Sequence, residues 1–250
     1  MNNRTIIQDA SGINTFYAKI YSLVGVGLGI SAIVSALMLS MFQSVIVSVL
    51  MGSTWIFYVA IAAELILVFA ASGMAVKNSP AALPLFLVYS ALNGFTLSIV
   101  LALYTQSSVL SAFVTASAMF FAMAFIGKVT KKDLSGMGRA LRAALFGLII
   151  ASVVNIFLRN GSFDFLISIA GVIIFSGLIA WDNQKIRYVY ERSNGQVENG
   201  WAVSLALSLY LDFINLFLSL PLHMECSRSN LGHDILGNVP FSFFFFFFFF

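Results

Sequence analysis

This sequence predicts an all-α membrane protein with seven transmembrane helices, and three observations carry that expectation. The 250 residues are 60% hydrophobic and only 9% charged, with a mean hydropathy of +0.96, whereas a soluble domain carries about 25% charge. Seven apolar runs recur along the chain, each close to the roughly 20 residues that a hydrocarbon core requires. Few charged residues fall inside those runs; most lie in the linkers and the terminal segments. No hydrophilic stretch is long enough to fold separately. One membrane domain, 17–220, therefore lies between a polar N-terminus, 1–16, and an atypical tail, 221–250.

The first 16 residues, MNNRTIIQDASGINTF, are polar, and no small-residue cleavage site follows the first apolar run. That run, Tyr17–Leu39, reads as a retained helix. Its Gly25, Gly27 and Gly29 permit close helix packing. Their spacing is superficially that of a dinucleotide loop, but no strand precedes it and no βαβ unit surrounds it. Further runs follow at Trp55–Val76, Leu83–Tyr104, Val109–Ile126, Ala140–Phe157, Phe163–Trp181 and Trp201–Leu220.

The linkers alternate in charge. Ser40–Thr54 and Gln106–Ser108 carry none, and the fifth linker holds Arg159 and Asp164. The others hold Lys77, then Lys128, Lys131, Lys132 and Arg139, then Lys185, Arg187 and Arg192. The positive-inside rule puts those basic linkers and the N-terminus in the cytoplasm, and seven spans then put the C-terminus outside. A net charge of +3 is too small to indicate nucleic acid. The single cysteine, Cys226, excludes an intrachain disulfide and a cysteine-rich metal site.

Acids inside the apolar runs are few. Asp212 lies near the middle of Trp201–Leu220, where a charge costs roughly 2.5–3.5 kcal/mol even on lenient insertion scales. The receiving group is expected to be Asp182, in GLIAWDNQKI at the end of the preceding run. If that helix continues to Tyr190 and the next begins near Asn199, the two acids differ by about 7 Å of rise, which tilt could absorb. Two carboxylates in a low-dielectric site cannot both ionise cheaply, so one proton can bridge them. Deprotonation would replace that bond with repulsion. A permanently protonated structural pair is the alternative. Glu64, in YVAIAAELILVF, reads either as a carboxyl paired within the bundle or as a cation-pathway group. Asn93, Asn155 and Asn215 read as interhelical hydrogen-bonding residues, with Asn215 on the helix face of Asp212. Calcium prefers several hard oxygen ligands. Asp182, Asp212 and Glu64 are the buried donors available for transient binding, and no resident cofactor is expected.

VYSALNGFTLS in the third run, TKKDLSGMGRAL after the fourth, the aspartate of AWDNQKI, and LYLDFINLFLSL closely resemble the Bax inhibitor-1 family, nearest its bacterial YccA/YbhL-like branch. The resemblance covers about residue 15 to Leu220. It implies six helices around a central seventh, in a bacterial inner membrane. It also implies a pH-sensitive calcium leak, in which the acids matching Asp182 and Asp212 share a proton and latch the pore. Glu64 and Asn215 are then candidates for the cation pathway. A second implied role is a non-transporting regulator that binds other membrane proteins, such as quality-control proteases. Family members can carry an arginine near the end of the second helix. Here the segment reads AASGMAVKN, and Lys77 is the nearest cation, without a bidentate fork.

The end of the chain also departs from the family, whose members usually finish in a short basic tail. PLHMECSRSNLGHDILGNVPFS is followed by eight phenylalanines, Phe243–Phe250, and the expectation is that translation leaves the native frame after Leu220. His223, Cys226, His233 and Asp234 fall here, in spacings that fit no zinc framework. No enzymatic activity is expected. Intramembrane aspartyl proteases use a GxGD motif, but the contexts here are AWDN and YLDF. A retinal protein needs a lysine in its last helix, and Trp201–Leu220 has none.

Overall fold

The computed structural model describes residues 3–52, 54–158 and 161–220. Among these residues the fold is entirely helical: α1 (Asn3–Met41), α2 (Gln43–Met51), α3 (Thr54–Val76), α4 (Ala82–Leu101), α5 (Gln106–Val129), α6 (Ser135–Leu158), α7 (Gly161–Arg192) and α8 (Asn199–Ser219). Seven are long and apolar enough to span a bilayer, as expected. The eighth is α2, which forms within the linker Ser40–Thr54. Its sequence QSVIVSVLM is apolar, but nine residues rise only about 14 Å. The tail 221–250, with its proposed change of frame, lies outside the described residues.

Two helices outrun their apolar segments. α1 begins at Asn3, so the polar N-terminal stretch continues into the first helix. α7 extends past Trp181 to Arg192 because its polar residues dock on neighbouring elements. Gln184 accepts from Leu134 N and donates to Lys132 O, both at 2.7 Å. Arg187 donates to the Thr130 carbonyl at 2.9 Å, near the end of α5. Tyr17 donates to the Asn183 carbonyl at 2.9 Å, and Tyr21 to its side-chain oxygen.

Burial separates α8 from the rest. Its apolar window is 89% buried, against 22–56% in the other spans. It packs on α1, α3, α4, α5 and α7, while α6 packs mainly behind α7. The outer helices turn Ile33, Ile66, Phe121 and Ile173 outward, which suits lipid because acyl chains are as apolar as these side chains. Of Gly25, Gly27 and Gly29, only Gly27 serves close packing: a Cβ there would meet Phe86 at 2.6 Å and Tyr210 at 3.1 Å, whereas Gly25 and Gly29 face open space; a fourth glycine of α1, Gly12, packs against the Tyr190 side chain.

The starts of α1, α6 and α8 and the ends of α3, α5 and α7 gather at one end of the bundle. Gly200 N donates to Asn78 Oδ1 at 2.9 Å, tying α8 to the end of α3. Asp133 closes the first turn of α6 by accepting from Ser135 N at 2.8 Å. Hydrogen bonds from the Ser135 side chain and backbone hold its carboxyl below the usual range. That contribution is complete above the ordinary carboxylate pKa and disappears as pH falls through the lower folded value. Asp133→Ala is expected to speed hydrogen exchange at the first α6 amides without changing overall helicity; unchanged exchange there would contradict the cap.

Candidate functional site

The last two helices bring the central acids together. Asp182 and Asp212 are buried, at 5% and 8% exposure, on packed helices α7 and α8. Because α7 runs ten residues beyond Asp182 and α8 begins 13 before Asp212, the axial mismatch is only about 4.5 Å. The two acids lie within electrostatic range of each other, but no hydrogen bond joins their carboxyls among the described residues. Ser208, one turn before Asp212 on α8, turns its hydroxyl to Asp182. Asp182 Oδ1 and Asp212 Oδ2 are buried without a hydrogen-bond partner among the described residues. An unpartnered buried polar oxygen is costly, and two of them at one helix contact call for a functional or protonation-linked account.

The cations that reach both carboxylates are Lys185 and Arg142. Each lies over the Trp181 ring, at 5.3 Å and 4.2 Å respectively. The sequence held a signal for both. Lys185 follows Asp182 by three positions on one helix face, and Arg142 is a charge inside the apolar run Ala140–Phe157. Lys77 is instead exposed at the end of α3. Its neighbour Asn78 caps the start of α8, and from there to Asp212 the helix rises about 18 Å.

Glu64 is fully buried on α3 and belongs to a separate polar chain. Thr96 donates to its Oε1 at 2.6 Å and Asn93 to its Oε2 at 3.3 Å. Tyr210, on α8, donates to Asn93 Oδ1 at 2.8 Å and sits 2.7 Å from Ser31 Oγ of α1. A hydroxyl has one proton: Tyr210 gives its own to Asn93, while Ser31 Oγ, which also lies 2.7 Å from the Ser90 carbonyl, can donate either to that carbonyl or to Tyr210. Thr96 also lies 3.0 Å from the Asn93 carbonyl. It can therefore give its proton to an ionised Glu64, or to that carbonyl while accepting from a protonated one. Both charge states of Glu64 keep their hydrogen bonds.

Among the described residues, no three acidic, histidine or cysteine side chains form a metal-binding group. Glu64 thus stands apart from the Asp182–Asp212 pair. Of the three asparagines, Asn93 and Asn155 bridge helices, the latter to Asp164. Asn215 donates to Leu211 O of its own helix at 3.0 Å. Tyr210 was not singled out in the sequence, where it reads as one more apolar aromatic of α8. Tyr210→Phe removes the hydroxyl joining α1, α4 and α8. Interhelical side-chain bonds in membranes average about 0.6 kcal/mol, but leaving Asn93 Oδ1 without its donor raises the expected loss to about 1–2 kcal/mol. Thermal unfolding in detergent checks this, and an unchanged midpoint would contradict it.

Comparison with known proteins agrees with this architecture. The family described as Inhibitor of apoptosis-promoting Bax1 matches residues 13–229. An uncharacterized membrane protein of Streptococcus pyogenes serotype M6 is 56% identical over 221 residues, covering 88% of this chain and 96% of that protein. YrjE of Lactococcus lactis is 48% identical over 222 residues, covering 88% and 95%. The inner membrane protein YbhL of Escherichia coli K12 is 38% identical over 221 residues, covering 86% and 93%. With seven spans, matching motifs and a family match over most of its length, this chain is a multi-pass membrane protein that belongs to the Bax inhibitor-1 family.

Proposed function

We propose that this protein is a pH-sensitive calcium leak, gated by a proton shared between Asp182 and Asp212. The observation that carries the reading is the pair of buried, unpartnered carboxyl oxygens on two helices in contact. One proton between them would satisfy both and tie α7 to α8. Its loss would leave two like charges in a low-dielectric site, and helix separation would relieve their repulsion. Flux should therefore rise with pH. Lys185 and Arg142 are better placed than Lys77 to moderate the repulsion, since their charges reach both acids.

A cavity of about 740 Å³ lies at the end opposite the basic cluster; neither aspartate lines it, but it offers the pathway an entrance from that end. It passes Ser31, Ser35 and Gln43 and reaches Phe213, the residue next to Asp212. Glu64 and Asn215 are assigned to the cation pathway, so calcium would meet Glu64 and the aspartates in turn. The basic end is taken as cytoplasmic on the positive-inside rule, and the relative YbhL is named an inner membrane protein. Calcium flux through purified protein in vesicles, measured from acid to alkaline pH, tests the proposal. Flux above protein-free vesicles that increases with pH is expected. No such flux at any pH contradicts the leak and favours a non-transporting role. Glu64→Gln should lower flux several-fold while leaving the pH midpoint in place; a shifted midpoint would assign Glu64 to the gate instead.

A further inference from the structure

The basic end of the bundle holds a second cavity, of about 550 Å³, between the α5–α6 linker, α7 and the start of α8. Lys131, Lys132, Lys185, Arg187 and Arg192 line it, against two acids, Asp133 and Glu191. Both acids are engaged. Asp133 caps α6, and Glu191 lies 4.0 Å from Arg187 Nε. Arg187 is spent on the Thr130 and Lys128 carbonyls. Lys131 and Lys132 have no ion-pair partner among the described residues, and Arg192 lies over the Tyr188 ring at 4.2 Å. The pocket therefore concentrates positive charge that the described residues leave uncompensated.

The aromatic residues around it identify its depth. Trp181, Tyr188 and Trp201 line the cavity, with Tyr188 and Trp201 at 49% and 41% exposure. Tryptophan and tyrosine favour the headgroup level of a bilayer. Nearer the middle of the spans, α6 and α7 expose Ile150 and Ile173, as surfaces against acyl chains do. A basic pocket between helices at this depth suits a lipid phosphate. We propose that it binds the phosphate of an anionic phospholipid from the surrounding leaflet. The bound chemistry is a phosphate ester held by Lys131, Lys132 and Arg192, with the headgroup against the aromatic rim. This assignment does not depend on ion conduction.

The test uses the full chain carrying Trp55→Phe, which removes the one tryptophan outside this end and leaves Trp181 and Trp201 as reporters. In phosphatidylcholine vesicles, brominated phosphatidylglycerol should quench their fluorescence at a lower mole fraction than brominated phosphatidylcholine. The exposed-linker variant K131Q/K132Q should reduce that preference by about thirtyfold, with helicity by circular dichroism unchanged. Lys185 is left intact because its charge also reaches Asp182 and Asp212. Millimolar inorganic phosphate should not reverse the quenching. Equal quenching by the two lipids, or an unchanged preference in the variant, would overturn the site. Full reversal by inorganic phosphate would overturn the lipid assignment in favour of a soluble anion.

Discussion

Asp212→Asn should flatten the pH dependence of calcium flux. The asparagine keeps an acceptor and adds a donor that can serve the unpartnered Oδ1 of Asp182. It removes the second negative charge, so ionisation of Asp182 no longer drives α7 from α8. A like-charge carboxylate perturbs its neighbour's proton affinity tenfold or more, and the ratio of alkaline to acid flux should fall by about that factor. Asp182→Asn should act in the same direction. The double variant should add little, because the two residues act as one unit. Flux must be normalised to immunodetected protein, since a new polar group in a membrane helix also lowers folding yield. Wild-type pH profiles in both single variants would exclude the shared proton.

Gly127→Val should be the most damaging of the packing substitutions. A Cβ at Gly127 would stand 2.0 Å from Ala180 O, 2.8 Å from its carbonyl carbon and 2.9 Å from its Cα. All three are backbone atoms in α7, two residues before Asp182, so no side-chain rotation relieves the clash. α5 and α7 must move apart. Overpacking costs about 1–3 kcal/mol in adaptable cores, and a backbone obstacle puts this substitution at or above the upper end. Protein yield and the thermal midpoint in detergent should both fall sharply. Gly29→Ala is the matched control: nothing lies within 4 Å of a Cβ there, and removing a helix glycine should be neutral or slightly stabilising. Equal behaviour of the two variants would contradict the close α5–α7 contact.

The seven spans were legible because a bilayer imposes length and apolarity on each one. The conspicuous acids were legible for the same reason: Asp212 and Glu64 interrupt runs in which charge is rare, and Asp182 directly follows one. Which helix is most buried was not readable from hydropathy. α6 and α8 have equal mean hydropathy, yet their apolar windows are 28% and 89% buried. In lipid the outward and inward faces are both apolar, so no stripe marks the core. The route Ser31–Tyr210–Asn93–Glu64 was hidden because it depends on the rotation of four helices about their axes. α2 escaped notice because it is too short to span. The roles of Lys185 and Arg142 arise from the fold of α6 against α7, which places both cations over Trp181.

The proton itself can be observed. Infrared spectra of the purified Glu64→Gln protein, recorded across pH, isolate the carbonyl stretch of a protonated aspartic acid in the membrane. The account predicts a band that disappears over the pH range in which flux rises, and that is absent from the Asp182→Asn, Asp212→Asn variant. A band that is missing at every pH, or that persists unchanged while flux rises, would contradict proton sharing as the gate.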